Sequence, residues 1–133
     1  MNSETISAGK PNIIVRGSDY GRLTALAQAS MDKDLALGEE LMGELERAAV
    51  VVDDAAALQT VQMGSTVTYT TETGHMRTVT LVYPGEANIE TSRISIMTPI
   101  GVALLGLSEN QSINWIARDG LVHSLTITKV VAT

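Results

Sequence analysis

The sequence predicts an α+β protein, with a short N-terminal antiparallel helical hairpin followed by a curled antiparallel sheet that carries one short helix. Three observations predict it. Apolar residues recur at helical spacing up to about residue 58 and at strand spacing beyond it. Apolar residues form 44% of the 133 and charged residues 18%, enough for a folded core and too little charge for a disordered acidic chain. The segment Thr98–Leu107 carries helix boundary residues at both ends. The expected division is residues 1–58 for the N-terminal segment and hairpin and 59–133 for the sheet domain.

In chain order, Ile13, Ile14 and Val15 form an apolar patch expected to pack against a neighbour. Tyr20, Leu23, Leu26, Ala27 and Ser30 lie on one stripe of a helix from Ser18, its expected N-cap, with Asp19 in the first turn. A turn over Met31–Ala36 leads to a second helix, Leu35–Val52, with Leu37, Leu41, Leu45, Ala48 and Val52 on its stripe. An alanine-rich connector follows. Thr66–Thr71 and Met76–Tyr83 read as a β-hairpin around Glu72, Thr73 and Gly74, with Val67, Tyr69, Val79, Leu81 and Tyr83 inward. A polar loop leads to a third strand, Arg93–Met97, with Ile94 and Ile96 inward. Thr98 then caps a helix, Pro99 takes its first position, and Gly106 closes it, so that Ile100, Ala103, Leu104 and Leu107 plug the sheet. Ser112–Ala117 and Leu121–Val131 close the domain as a hairpin turning at Arg118, Asp119 and Gly120.

Charge and composition narrow the function. The formal charge is -6, and residues 1–54 hold ten acids against five bases. Such a surface repels phosphates, so tight direct nucleic-acid binding is not expected. Without cysteine there are no disulfides, thiolate metal sites or cysteine nucleophiles. The longest strongly apolar run, Ala48–Val52, is far too short for a helical membrane span, and a cytoplasmic location is expected.

Catalytic chemistry finds little support. His75 and His123 lack a histidine pair or a nucleophile motif, so structural or solvent-facing roles are expected. Gly101 and Gly106 lack the lysine and hydroxyl of a phosphate loop. Asp32, Asp34, Glu39 and Glu40 are read as a solvated helix tip rather than a cation site. Trp115 shares the parity of Ile113 and is expected in the core. No catalytic residue, metal site or cofactor is assigned.

Four runs carry a family resemblance: MGSTV (Met63–Val67), RTVTLVYPGEA (Arg77–Ala87), RISIMTPIGVALLGL (Arg93–Leu107) and INWIARDGLVHSLTITKV (Ile113–Val130). Residues 61–131 resemble the C-terminal domain of the bacterial Gre transcript-cleavage factors, and still more closely the Rnk family, the regulators of nucleoside diphosphate kinase. The resemblance implies an FKBP-like fold for this half and a truncated coiled coil for the hairpin. It implies a non-enzymatic transcription regulator that binds RNA polymerase near its secondary channel, competes with Gre factors and affects nucleoside diphosphate kinase levels. The implied partner-binding residues are Met97, Thr98, Pro99 and Glu86. Met97 departs from the polar residue of Gre factors and agrees with Rnk. In Gre factors two carboxylates at the coiled-coil tip serve a catalytic magnesium ion, and Asp32, Asp34 and Glu39 resemble such acids on arms too short to reach it. A cleavage factor and an FKBP-like isomerase or ligand-binding module are the alternatives. The isomerase needs an aromatic-lined pocket, which a chain without Phe is poorly equipped to build.

Overall fold

The computed structural model describes residues 13–51, 59–116 and 119–131. The order is β1 (Ile14–Arg16), α1 (Gly17–Ser30), α2 (Leu35–Arg47), β2 (Ala49–Val51), β3 (Thr66–Thr71), β4 (Met76–Val82), β5 (Arg93–Ser95), α3 (Pro99–Leu104), β6 (Ser112–Ile116) and β7 (Val122–Val131). Two 3-10 turns, Pro84–Glu86 and Ile89–Thr91, occupy the loop after β4.

The second helix of the hairpin is shorter than its periodicity suggests. At about 1.5 Å rise per residue, the 14 residues of α1 and the 13 of α2 give arms of roughly 20 Å. The expected Ser18 cap is not used: Arg16 holds the N-cap position without a side-chain cap, and Ser18 lies in the first turn. Chain direction there is set by tertiary bonds to Arg16. Helix α2 does begin with a side-chain cap, Asp34 accepting from the Leu37 N–H at 3.2 Å. It stops at Arg47 rather than Val52, because Ala48 turns extended and Ala49–Val51 pairs parallel with Ile14–Arg16. Consecutive valines favour that strand, and the apolar patch at residues 13–15 has found its neighbour. Val52–Leu58, including the rest of the expected helix and the expected domain boundary, lie outside the described residues.

The larger sheet has the order β5-β4-β3-β7-β6. Strands β3 and β4 follow the predicted alternation, with Val67, Tyr69, Val79 and Leu81 buried and Thr66–Thr80 and Thr68–Thr78 hydroxyl pairs at 3.0 and 2.9 Å on the outer face. A register shift at Thr68/Tyr69 against β7 bends the sheet. One strand departs from the antiparallel expectation: β5 pairs parallel with β4, because the looped connection carries the chain back before it pairs. Helix α3 packs against this sheet, capped by Thr98 with Pro99 at its first position. It ends at Leu104, before Gly106. Ala103, Leu104 and Leu107 are buried, whereas Ile100 is only half-buried against the core.

Hairpin and sheet share one apolar core, which runs from Leu23, Leu41 and Leu45 through Ile13 and Val15 to Leu81, Leu104 and Ile127. A polar seam fixes their relation. The buried Gln62 amide accepts from Arg16 N at 3.0 Å and donates to the Ile14 carbonyl and Thr60 hydroxyl at 2.7 Å each, so its side chain extends the β1 ladder. Beside it, the Tyr83 hydroxyl donates to Asp19 at 2.9 Å, and the Arg22 guanidinium lies 3.6 Å above the Tyr83 ring. Burial first, then the bond to Asp19, holds the Tyr83 hydroxyl far above its ordinary pKa.

Candidate partner-docking site

The Met97–Pro99 segment is a strand-to-helix corner, and its own hydrogen bonds fix its shape. Ile96 is buried and its N–H reaches the Val82 carbonyl at 2.8 Å, the last bond between this chain and β4. The Ser95 hydroxyl then accepts from Met97 N at 2.9 Å. Thr98 Oγ1 donates to the Ser95 carbonyl at 2.8 Å and accepts from Gly101 N at 3.1 Å. These bonds leave Met97, Thr98 and Pro99 half-exposed on a rigid turn. The tightness of the turn depends on Gly101, where an added Cβ would lie 2.3 Å from the Ser95 carbonyl oxygen.

Pro99 also borders a groove of about 410 Å³, lined by Asp34, Ala36, Leu37, Glu40, Pro99 and Ile116. The groove brings the start of α2, the corner and the end of β6 to one place. It joins one expected tip acid, Asp34, to one expected docking residue, Pro99. Asp32 and Glu39 are exposed and do not line it. Glu86 stands elsewhere. It is exposed on the first 3-10 turn and borders a depression of about 230 Å³ with Gly64, Thr80, Val82 and Arg93. The four implied docking residues therefore divide into a corner and a separate position.

Both histidines sit outside this site. His75 Nδ1 is 2.9 Å from the Thr73 hydroxyl in the β3–β4 turn. His123, on β7, lies 3.0 Å from a Glu72 carboxylate oxygen and 3.3 Å from Asp119, linking two turns. The bonds to Glu72 and then to Asp119 raise the His123 pKa above its ordinary value. Backbone N–H bonds foremost, with the histidine as a further cause, lower those of Glu72 and Asp119. Trp115, expected in the core, is half-buried against it, and its ring centroid lies 5.3 Å from that of His123. Among the described residues no group of three or more His, Asp or Glu side chains is placed to hold a metal ion. Nor is any helix among them long and apolar enough to cross a membrane.

The sequence reading missed Ile116 and the α2 wall of the groove. Ile116 had one local signal, since it falls on the opposite parity from buried Ile113 and is 58% exposed. No local signal joins residues 34–40 to residue 116.

Comparison with known proteins assigns both parts of the chain. Residues 11–51 match the family described as Rnk N-terminus, and residues 55–132 match "Transcription elongation factor, GreA/GreB, C-term". The regulator of nucleoside diphosphate kinase of Escherichia coli K12 is 30% identical over 91% of this chain and 90% of its own length. Transcription elongation factor GreA of Chloroflexus aggregans is 40% identical over 68% of this chain, which spans 58% of that protein. A solved GreA/GreB elongation factor structure from Nitrosomonas europaea superposes with a TM-score of 0.72 at 33% identity, covering 92% of this chain and 99% of that one. With the Rnk-type N-terminus followed by the GreA/GreB C-terminal domain, and with this identity along nearly the whole chain, the protein belongs to the family of regulators of nucleoside diphosphate kinase, a branch related to the Gre factors.

Proposed function

We propose that the protein is a non-enzymatic transcription regulator that docks on RNA polymerase at the rim of the secondary channel and competes there with Gre factors. The observation that carries this reading is the Met97–Pro99 corner, half-exposed yet held by three hydrogen bonds within a domain matched to the GreA/GreB C-terminus. A rigid exposed turn binds without a large ordering cost. The further likeness of this domain to FKBP-type folds belongs to the same reading. The isomerase alternative gains no support from the two depressions, among whose described lining residues none is aromatic.

Hairpin length supports the regulator reading over the cleavage factor. Arms of about 20 Å hold Asp32 and Asp34 close to the body of the protein, and Asp34 is engaged as the cap of α2. An effect on nucleoside diphosphate kinase levels would then follow through transcription.

The test is binding to purified core RNA polymerase with and without a competing Gre factor, beside a cleavage assay on backtracked complexes. The wild-type chain should bind, be displaced by the competitor and stimulate no cleavage. Met97→Asp should weaken binding by about 1–3 kcal/mol through charge desolvation while leaving the melting temperature nearly unchanged. Pro99→Ala removes contact area without adding charge. Full affinity in both variants with unaltered melting would remove the corner from the interface. Magnesium-dependent cleavage lost on Asp32→Ala would overturn the non-enzymatic reading.

A further inference from the structure

The two edges of the larger sheet are finished differently. Edge strand β5 is three residues long, carries the charge of Arg93, and has Asn88 bridged to Arg93 at its start. The opposite edge, β6 (Ser112–Ile116), has none of these guards. Its ladder with β7 runs without a register shift, none of its five residues is charged, and among the described residues no backbone hydrogen bond beyond that ladder engages it. Natural sheets protect such edges with charge, proline, a bulge or a covering segment, because an open row of N–H and C=O groups is a template for another strand. Beside this edge three aliphatic side chains gather. Ile116 and its cross-strand partner Val122 are 58% and 66% exposed, and Leu121, next to Val122 in the chain, is 62% exposed. An apolar cluster beside an unguarded edge marks an association surface.

We infer that the occupant of this edge is a second copy of the chain, paired antiparallel through β6 about a two-fold axis. Charge selects it. Two copies of net charge -6 repel one another over most of their surfaces, and β6 is a segment where they meet without bringing like charges together. A charged segment from another protein finds no counter-charge in Ser112–Ile116. The strand is also self-complementary. With Asn114 on the axis, Asn114 faces its own copy, Ile113 faces Trp115 and Ser112 faces Ile116, so that no pair in the new ladder opposes two charges. Five paired residues and three exposed aliphatic side chains from each copy form a small interface, on the order of the 1,000 Å² lower limit for a specific contact, so the association depends on concentration. This inference is independent of the docking reading above.

The test is sedimentation velocity on the full chain over a wide range of concentration, with melting temperature followed for every variant. The wild-type chain should pass from monomer to dimer as concentration rises. Ile116→Lys places a charge on the edge and should weaken dimerisation by about tenfold or more. Met76→Lys makes the same kind of change at an apolar position of β4 that is 69% exposed, and it should dimerise as wild type does. Because the chain has no cysteine, Asn114→Cys reads the register directly. Directly opposed antiparallel residues have Cα atoms about 4.5–5.5 Å apart, within the span of a disulfide, so this variant should cross-link to its own copy under mild oxidation. Thr128→Cys, at an exposed position of β7, should not. If Ile116→Lys fails to fold, the cysteine pair of variants decides alone. A wild-type chain that stays monomeric at every concentration overturns the proposal, including the case in which the edge pairs with a different protein. A dimer that survives in folded Ile116→Lys, is lost equally in Met76→Lys, or is not captured by Asn114→Cys forms through another surface and overturns it as well.

Discussion

At the scale of single residues, two glycines do what no other residue could do. Gly106 has φ +81° and stands where an added Cβ would come within 2.5 Å of Ile13 Cβ, so the chain after α3 passes directly under β1. Its N–H reaches the Val61 carbonyl at 2.7 Å and its carbonyl receives Ile14 N at 3.2 Å. Gly101 is constrained by space alone, with the Ser95 carbonyl against it. Gly101→Ala should therefore push α3 away from the corner, costing about 1–3 kcal/mol by overpacking. Denaturant unfolding would measure that cost, and polymerase affinity should fall with it, since Thr98 would lose its bond to residue 101. An unchanged unfolding midpoint would show that the corner yields more readily than its backbone contacts imply. The Gly106 role as a helix closer was legible in the sequence. Its close approach to Ile13 was not, because 93 residues separate the two positions.

Elements show where local pattern ends and pairing begins. Strand β3 matched its expected limits, while α2 and the following valines divided where periodicity alone had run on. A stripe of Leu41, Leu45, Ala48 and Val52 fits a helix. The valines at its end also fit a strand, and a parallel partner in β1 decides for the strand over Ala49–Val51. At the other hairpin, one side chain links two turns: His123 on β7 binds Glu72 after β3 and Asp119 after β6. Its pKa is raised above 6.5, so its contribution is complete below that value and is lost as pH rises through the folded-state pKa. Glu72 and Asp119 are lowered from 4.5 and 3.8, so theirs are complete above those values and are lost as pH falls through the folded-state pKa values. The clasp should be strongest between about pH 4.5 and 6.5. Solvent exposure keeps the effect small. Thermal melting across pH should show His123→Ala falling furthest below wild type inside that window and converging with it above, and a constant difference at all pH values would count against the clasp.

For the whole molecule, the central fact is that the hairpin has little core of its own. Leu23, Leu41 and Leu45 belong to the same buried cluster as Leu81 and Leu104, and the Gln62 side chain completes the β1 ladder from the sheet side. The groove beside Pro99 lies where α2 of the hairpin meets the corner and β6 of the sheet domain. Gln62→Ala would leave the Arg16 N–H and the Ile14 carbonyl without their side-chain partner in a largely buried setting, at a cost of about 1–3 kcal/mol. Unfolding should remain a single transition, with tertiary circular dichroism and helix content lost together. Separate transitions for helix and sheet signals would mean that the two parts are independent.

From sequence alone came the helical hairpin, the β3–β4 turn, the cap and first residue of α3, and the family resemblance, each written in neighbouring residues through spacing, turn chemistry or a contiguous motif. The parallel β1–β2 and β4–β5 pairings, the early end of α2 and the groove between residues 34–40, Pro99 and Ile116 were decided by tertiary structure. The physical reason is that periodicity states which face of an element is apolar and leaves open what that face will meet. Only when the chain closes over long separations do Gln62 reach Ile14 and α2 reach β6, and those contacts choose between local structures of similar propensity.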